Sequence, residues 1–156
     1  MTFQVYLSGE IHTNWRAQII ALSEGLNVIF TSPVTDHEAS DDCGVVILGA
    51  EPDKVWHDHK GAKLNAIRTR KAIEEADVVV VRFGEKYKQW NAAFDAGYAV
   101  GLGKSLIVLH QPEHAHALKE VNAAALLVAD RPEQVADALR YVLSGQLPVR
   151  APEIRF

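Results

Sequence analysis

The chain has 156 residues, 48% of them hydrophobic and 23% charged, with a formal net charge of −4. That size and balance suit one globular domain and exclude a disordered tail, a collagen or a fibrous coiled coil. A single cysteine, Cys43, leaves no internal disulfide framework and no four-thiolate zinc site, and the net acidity counts against a nucleic-acid polymer as partner.

No apolar run reaches membrane-spanning length, and the apolar start is too short for a signal peptide and lacks its basic flank. A cytoplasmic protein without a membrane partner is expected. Residues 3–8 alternate and then meet Gly9, which predicts a first strand ending in a tight loop. Asn14 suits an N-cap, Trp15, Ile19, Ile20 and Leu22 form an apolar helical stripe, and Gly25 suits its end. Residues 27–31 read as a second strand that Ser32-Pro33 closes.

The stretch from Thr31 to His59 is the least regular. Residues 44–49 are apolar but too short to assign by period, and fit either an extra strand or one helical turn. A helical pattern returns at residues 60–76. Residues 77–82 are a β-branched run, the mark of a strand buried on both faces. A polar loop follows, then a helix over 92–102 with small residues at Ala92, Ala93, Ala96, Gly97, Ala99 and Gly101, so it should pack closely.

A strand at 105–109, a short helix at 113–121, a strand at 125–128 and a helix from Pro132 to Gly145 complete the order. Such alternation predicts an α/β fold with a parallel sheet and helices on both faces. One domain over residues 1–145 and an irregular tail over 146–156 are expected. Ligands of such sheets bind beyond the carboxyl ends of the strands, which directs attention to the loops after Ser8, Thr31, Arg82 and Leu109.

Three segments can carry chemistry. In the first loop, Tyr6, Ser8, Gly9, Glu10 and His12 lie where backbone N–H groups and a helix start can approach a ligand. In the second, Asn91 and Asp95 open the helix after the central strand. An acid there suits the helix dipole, and it can equally serve as a nucleophile at the sheet edge. In the third, His57-Asp58-His59-Lys60 suits a phosphate or sugar hydroxyl better than a metal, because a firm zinc site needs more ligands at recognised spacing. Neither a metal nor a cofactor is expected. Gly101-Leu-Gly103-Lys104-Ser105 is not a P-loop: its first glycine is missing, and helix leads into strand rather than the reverse.

The runs Glu75-Ala-Asp-Val-Val-Val-Val81 and Phe94-Asp-Ala-Gly-Tyr-Ala-Val-Gly-Leu-Gly-Lys104, with Tyr6-Leu-Ser-Gly9, resemble the nucleoside 2-deoxyribosyltransferase superfamily. Tyr6-Leu-Ser-Gly-Glu-Ile11, His57-Asp-His-Lys-Gly61 and Asn65-Ala-Ile-Arg-Thr-Arg70 resemble its bacterial YtoQ branch. The resemblance spans nearly all residues up to about Ser144. It implies a flavodoxin-like, doubly wound sandwich with a five-stranded, mainly parallel sheet, and a homo-oligomer. It also implies cleavage or transfer of the N-glycosidic bond of a small-molecule nucleoside or nucleotide, with Asp95 as carboxylate nucleophile and Tyr6 orienting it.

The chain departs from that superfamily's pattern in three places. Asp95 stands where Glu is usual, Gln89-Trp-Asn91 where Asp-x-Gly precedes the nucleophile, and Arg82-Phe83-Gly84 where another acid follows the central strand. Asp58, Glu10 and Glu85 are the candidate substitutes for the missing acids. Two readings follow: an N-glycosidic enzyme with Ser8, Gly9, Glu10, His12, His57, Asp58, His59, Lys60 and Asn91 around its substrate, or a catalytically silent binder of a nucleotide or nucleotide sugar. A metal-dependent hydrolase centred on His57, Asp58 and His59 is a third.

Overall fold

Val78, Val79, Val80 and Val81 are all buried and form most of the central strand of the sheet. A strand covered on both faces has no solvated side to alternate with, hence its unbroken β-branched sequence. The computed structural model describes residues 1–149. Five strands, β1 (Phe3–Gly9), β2 (Val28–Thr31), β3 (Val78–Arg82), β4 (Ser105–Leu109) and β5 (Leu127–Ala129), lie in the order β2-β1-β3-β4-β5. Every pairing is parallel. This is the flavodoxin-like order, with its topological switch between β1 and β3.

Among the described residues five α-helices connect the strands and a sixth follows the last one: α1 (Trp15–Leu22), α2 (His37–Leu48), α3 (Lys54–Glu75), α4 (Trp90–Gly101), α5 (Lys119–Ala124) and, after β5, α6 (Pro132–Ser144). On one face Val5, Leu7, Val80 and Leu109 meet Trp15 and Ile19 of α1 and Val135 and Leu139 of α6. On the other, Tyr6, Val79, Val81 and Val108 meet Ile73 of α3 and Ala92, Ala96 and Ala99 of α4. The alanine face brings the α4 backbone close to the sheet, as the small-residue pattern requires. Residues 145–149 carry no regular secondary structure, and the rest of the expected tail lies outside the described residues.

The stretch read as irregular is in fact two helices, α2 and the first turns of α3. Each starts at an aspartate N-cap: Asp36 accepts from the Ala39 N–H and Asp53 from the Val55 N–H, both at 2.8 Å. Residues 44–48 are thus the last turns of α2, not a strand, and α3 begins at Lys54 rather than Lys60. Similarly α4 begins at Trp90, and the short helix expected at 113–121 is a 3-10 turn, Pro112–His114, followed by α5.

The helices α2 and α3 cross at Gly44. A Cβ on Gly44 would lie 2.4 Å from the Lys60 carbonyl carbon, so only glycine permits this approach. Asn65 Nδ2 reinforces the crossing by donating to the Ser40 carbonyl at 2.9 Å.

Candidate functional site

Successive side chains of a strand point to opposite faces. Tyr6 and Ser8 of β1 therefore both face α3 and α4, while Leu7 faces α1. Asp95 lies on α4 beside the alanine face, and α4 crosses above the carboxyl end of β1. Sequence positions 87 apart are thereby joined: Ser8 Oγ donates to Asp95 Oδ2 at 2.6 Å. Ser8 is buried and Asp95 half-buried. Burial pushes the Asp95 pKa up, and the Ser8 hydrogen bond only partly offsets this.

Among the described residues Asp95 Oδ1 accepts no hydrogen bond, and it is not one of the sealed unpartnered atoms, so it faces open space. Below it, the Tyr6 hydroxyl is sealed from solvent and has no partner at normal hydrogen-bond geometry. Burial pushes the Tyr6 pKa up to about 12; the Thr69 side chain pulls it down, and the Asp95 charge adds to the rise.

These groups sit at the floor of a cleft of about 1000 Å³ at the carboxyl edge of the sheet. Its walls come from the loop after β1, the first half of α2, the inner face of α3, the loop before α4, and α4 itself. Of the expected site residues, Tyr6, Ser8, Gly9, Glu10, His12, Asp58, Asn91 and Asp95 line it.

His57, His59 and Lys60 are not among the lining residues. His57 Nε2 meets Asp42 Oδ1 of α2 at 3.1 Å, and His59 stands edge-on to Trp56. Lys60 Nζ donates to the Gly49 carbonyl at 3.1 Å and pairs with Glu51 at 3.3 Å. The continuous helix from Lys54 spends His57 and Lys60 on bracing α2 and the loop that follows it. Among the described residues no group of three His, Cys, Asp or Glu side chains is placed to hold a metal.

Two other expected residues reach the cleft already engaged. The Glu10 carboxylate is buried and accepts from the His12 backbone N–H, from Thr13 N–H at 2.8 Å, from Thr13 Oγ1 at 2.6 Å and from Arg82 Nη1 at 2.7 Å. Burial alone would raise its pKa, but these donors together hold the carboxyl below its ordinary 4.5. Gly9 is set by β3 as much as by any ligand: its φ is +106°, and a Cβ there would lie 2.1 Å from the Arg82 carbonyl oxygen.

Among the described residues, four carboxylates line the cleft: Glu10, Asp41, Asp58 and Asp95. Glu10 is held by Arg82, Asp41 by His37 at 3.4 Å and Asp58 by Lys54 at 2.5 Å. Glu85, the remaining substitute considered for the missing acids, is spent on Arg82 at 3.3 Å. Asp95 alone of the four has only a neutral hydroxyl as partner.

The rim also contains aromatic groups that sequence reasoning left out of the site. Trp90, Phe94 and Tyr98 recur every four residues along α4, away from its alanine face. Trp90 and Phe94 are 76% and 64% exposed. Phe94 and Tyr98 are parallel within 3°, with centroids 6.5 Å apart. Tyr87 faces His12 across the mouth at 4.8 Å. The four-residue spacing was the signal for the α4 group.

Residues 6–143 match the model of the family described as nucleoside 2-deoxyribosyltransferase YtoQ. The chain belongs to that family. It is also 41% identical over 148 residues to the uncharacterized protein YtoQ of Bacillus subtilis strain 168, across 94% of this chain and all of that one. Among solved structures, the 2-desoxiribosyltransferase from Leishmania mexicana gives a TM-score of 0.43 at 20% identity, over 73% of this chain and 70% of that one. No helix among the described residues of this YtoQ-family chain is long and apolar enough to cross a membrane.

Proposed function

We propose that the protein is a cytoplasmic enzyme that cleaves or transfers the N-glycosidic bond of a nucleoside or nucleotide, with Asp95 as nucleophile. The observation that carries this is the contrast among the cleft's carboxylates. Glu10 and Asp58 are tied to cationic side chains and Asp41 to the His37 ring, whereas Asp95 keeps one oxygen unbonded toward the cleft. A nucleophilic carboxylate needs a free lone pair and the absence of a neutralising cation. Membership of the family supports the substrate class.

In this reading Asp95 Oδ1 attacks the anomeric carbon. The C1′–O bond forms as the C1′–N bond breaks, and the electron pair leaves on the base, which takes a proton from water. Water, or a second base in transfer, then attacks C1′ as the C1′–O bond breaks, loses its proton to the hydroxide left by the first step, and frees the carboxylate. The exposed rings of Trp90 and Phe94 suit the planar base, and Asn91 and His12 the sugar or its phosphate. A homo-oligomer forms part of the proposal, supported by the exposed Val46, Ile47, Val55 and Trp56 of α2 and α3.

Incubation with a panel of nucleosides, deoxynucleosides and their monophosphates, with and without a second free base, tests this by chromatography. Release of free base that Asp95→Ala abolishes is the expected result, and base exchange would make the enzyme a transferase. The engagement of Glu10, Asp41, Asp58 and Glu85 favours one other reading, a nucleotide binder without catalysis, since among the described residues no unengaged second acid lines the cleft to protonate the leaving base. Saturable binding by calorimetry without turnover over hours would establish it.

A further inference from the structure

We propose that Ser8 is the positioning residue of Asp95: its hydroxyl fixes Oδ2 and so presents Oδ1 as the attacking oxygen. The inference rests on the N-glycosidic reading above and assigns Ser8 a role other than substrate contact.

Three observations carry it. Ser8 is only 1% exposed, so its side chain has little access to a ligand in the cleft. Its single hydroxyl proton is already committed to Asp95 at 2.6 Å. Its backbone is fixed by parallel pairing with Val81 in the central strand, so the donor is mounted on the stiffest part of the fold.

Asp95 needs such a hold. The alanine face of α4 fixes the helix against the sheet, but it leaves the side-chain torsions of Asp95 free. The Tyr6 hydroxyl, the other polar group beneath it, makes no hydrogen bond to the Asp95 carboxylate. Among the described residues Ser8 alone hydrogen-bonds the Asp95 carboxylate, and it bonds one oxygen. The two oxygens thereby become inequivalent. Oδ2 gives electron density to Ser8, and Oδ1 keeps both lone pairs for C1′. Misplacing a reacting group by about 1 Å costs on the order of 100-fold in rate, so losing this anchor should appear in kcat rather than in KM.

The test compares wild type, Ser8→Ala and Ser8→Thr, using the most active nucleoside of the panel. Asp95 is followed by carbon-13 NMR of its labelled carboxyl. In Ser8→Ala we expect kcat to fall by about tenfold to 100-fold with KM within about threefold. The Asp95 midpoint and the acid limb of the kcat profile should move together to higher pH. Ser8→Thr, which keeps the hydroxyl, should restore both. An unmoved Asp95 midpoint in Ser8→Ala, or equal losses in the alanine and threonine variants, overturns the role of Ser8 while an active wild type leaves the enzyme reading intact. A wild type inactive on the whole panel overturns that reading first and this role with it. Should either variant fail to fold, Ser8→Cys keeps the volume, replaces the hydroxyl by a weak donor, and must shift the midpoint upward as alanine does.

Discussion

Arg82 Nη1 meets Glu10 Oε2 at 2.7 Å, and this pair ties the end of β3 to the loop that follows β1. Both side chains are largely removed from water, at 12% and 2% exposure. Removing Arg82 leaves the buried Glu10 carboxylate without its cation, held only by His12 and Thr13, at a cost of about 3 kcal/mol. Arg82→Ala should therefore lower stability by about that amount in urea unfolding.

The same pair predicts a pH dependence. The Glu10 carboxyl lies below its ordinary 4.5 when folded, so the folded state binds that proton more weakly than the unfolded chain does. Its stabilisation is fully present above pH 4.5 and is lost as pH falls through the lower, folded value. Thermal melting between pH 7 and pH 3 should show wild type losing more stability on acidification than Glu10→Gln. Parallel curves would mean that Glu10 makes no such contribution.

The crossing at Gly44 makes α2 sensitive to a single methyl. Gly44→Ala places a carbon 2.4 Å from the Lys60 carbonyl carbon, and overpacking of this kind costs about 2 kcal/mol. Gly44 is the only residue of α2 that is buried, so the damage should stay local. Hydrogen exchange should accelerate across His37–Leu48 while the amides of β3 remain protected. Loss of protection in both would mean that α2 unfolds with the sheet.

The sheet and the position of Asp95 were legible because both follow from patterns that burial imposes. A β-branched run has one comfortable place in an α/β fold, and small residues spaced along a helix mark the face that meets the sheet. The α2–α3 wall was not legible for the opposite reason. Its helix contains Gly44 followed by Val45, Val46 and Ile47, which are poor helix formers, so local propensity hides a helix that Asp36 and the crossing with α3 hold in place. His57 and Lys60 then read as a loop cluster, although a helix started by Asp53 turns them toward α2 and its following loop. The engagement of Glu10 was equally invisible, because its partner Arg82 is 72 residues away and no periodicity links them.

Asp95 should trade stability against activity. Its raised pKa means that the folded state binds the proton more tightly than the unfolded chain, so stability falls as pH rises through that window and stays lowered above it. Asp95→Asn removes the charge that burial disfavours. The variant should be at least as stable as wild type at pH 7, lack wild type's loss of stability on raising the pH through that window, and release no base from any nucleoside. Urea unfolding at pH 4 and pH 7 beside the chromatographic assay measures both. A variant that keeps full turnover would end the covalent mechanism, whatever its stability.

Tyr6 separates a structural role from a functional one. Its hydroxyl is sealed and has no partner at normal hydrogen-bond geometry, a state that costs about 1 to 3 kcal/mol of desolvation. Removing the oxygen should therefore leave stability unchanged or raise it by about 1 kcal/mol. With its pKa at about 12, the phenol stays protonated throughout the neutral range and remains a donor available to the Asp95 carboxylate once substrate closes over the floor of the cleft. Tyr6→Phe should lower kcat without adding or removing a limb near neutral pH. A stability loss above about 1 kcal/mol would show that the hydroxyl has a partner in the resting protein. Unchanged turnover would show that it takes none during the reaction.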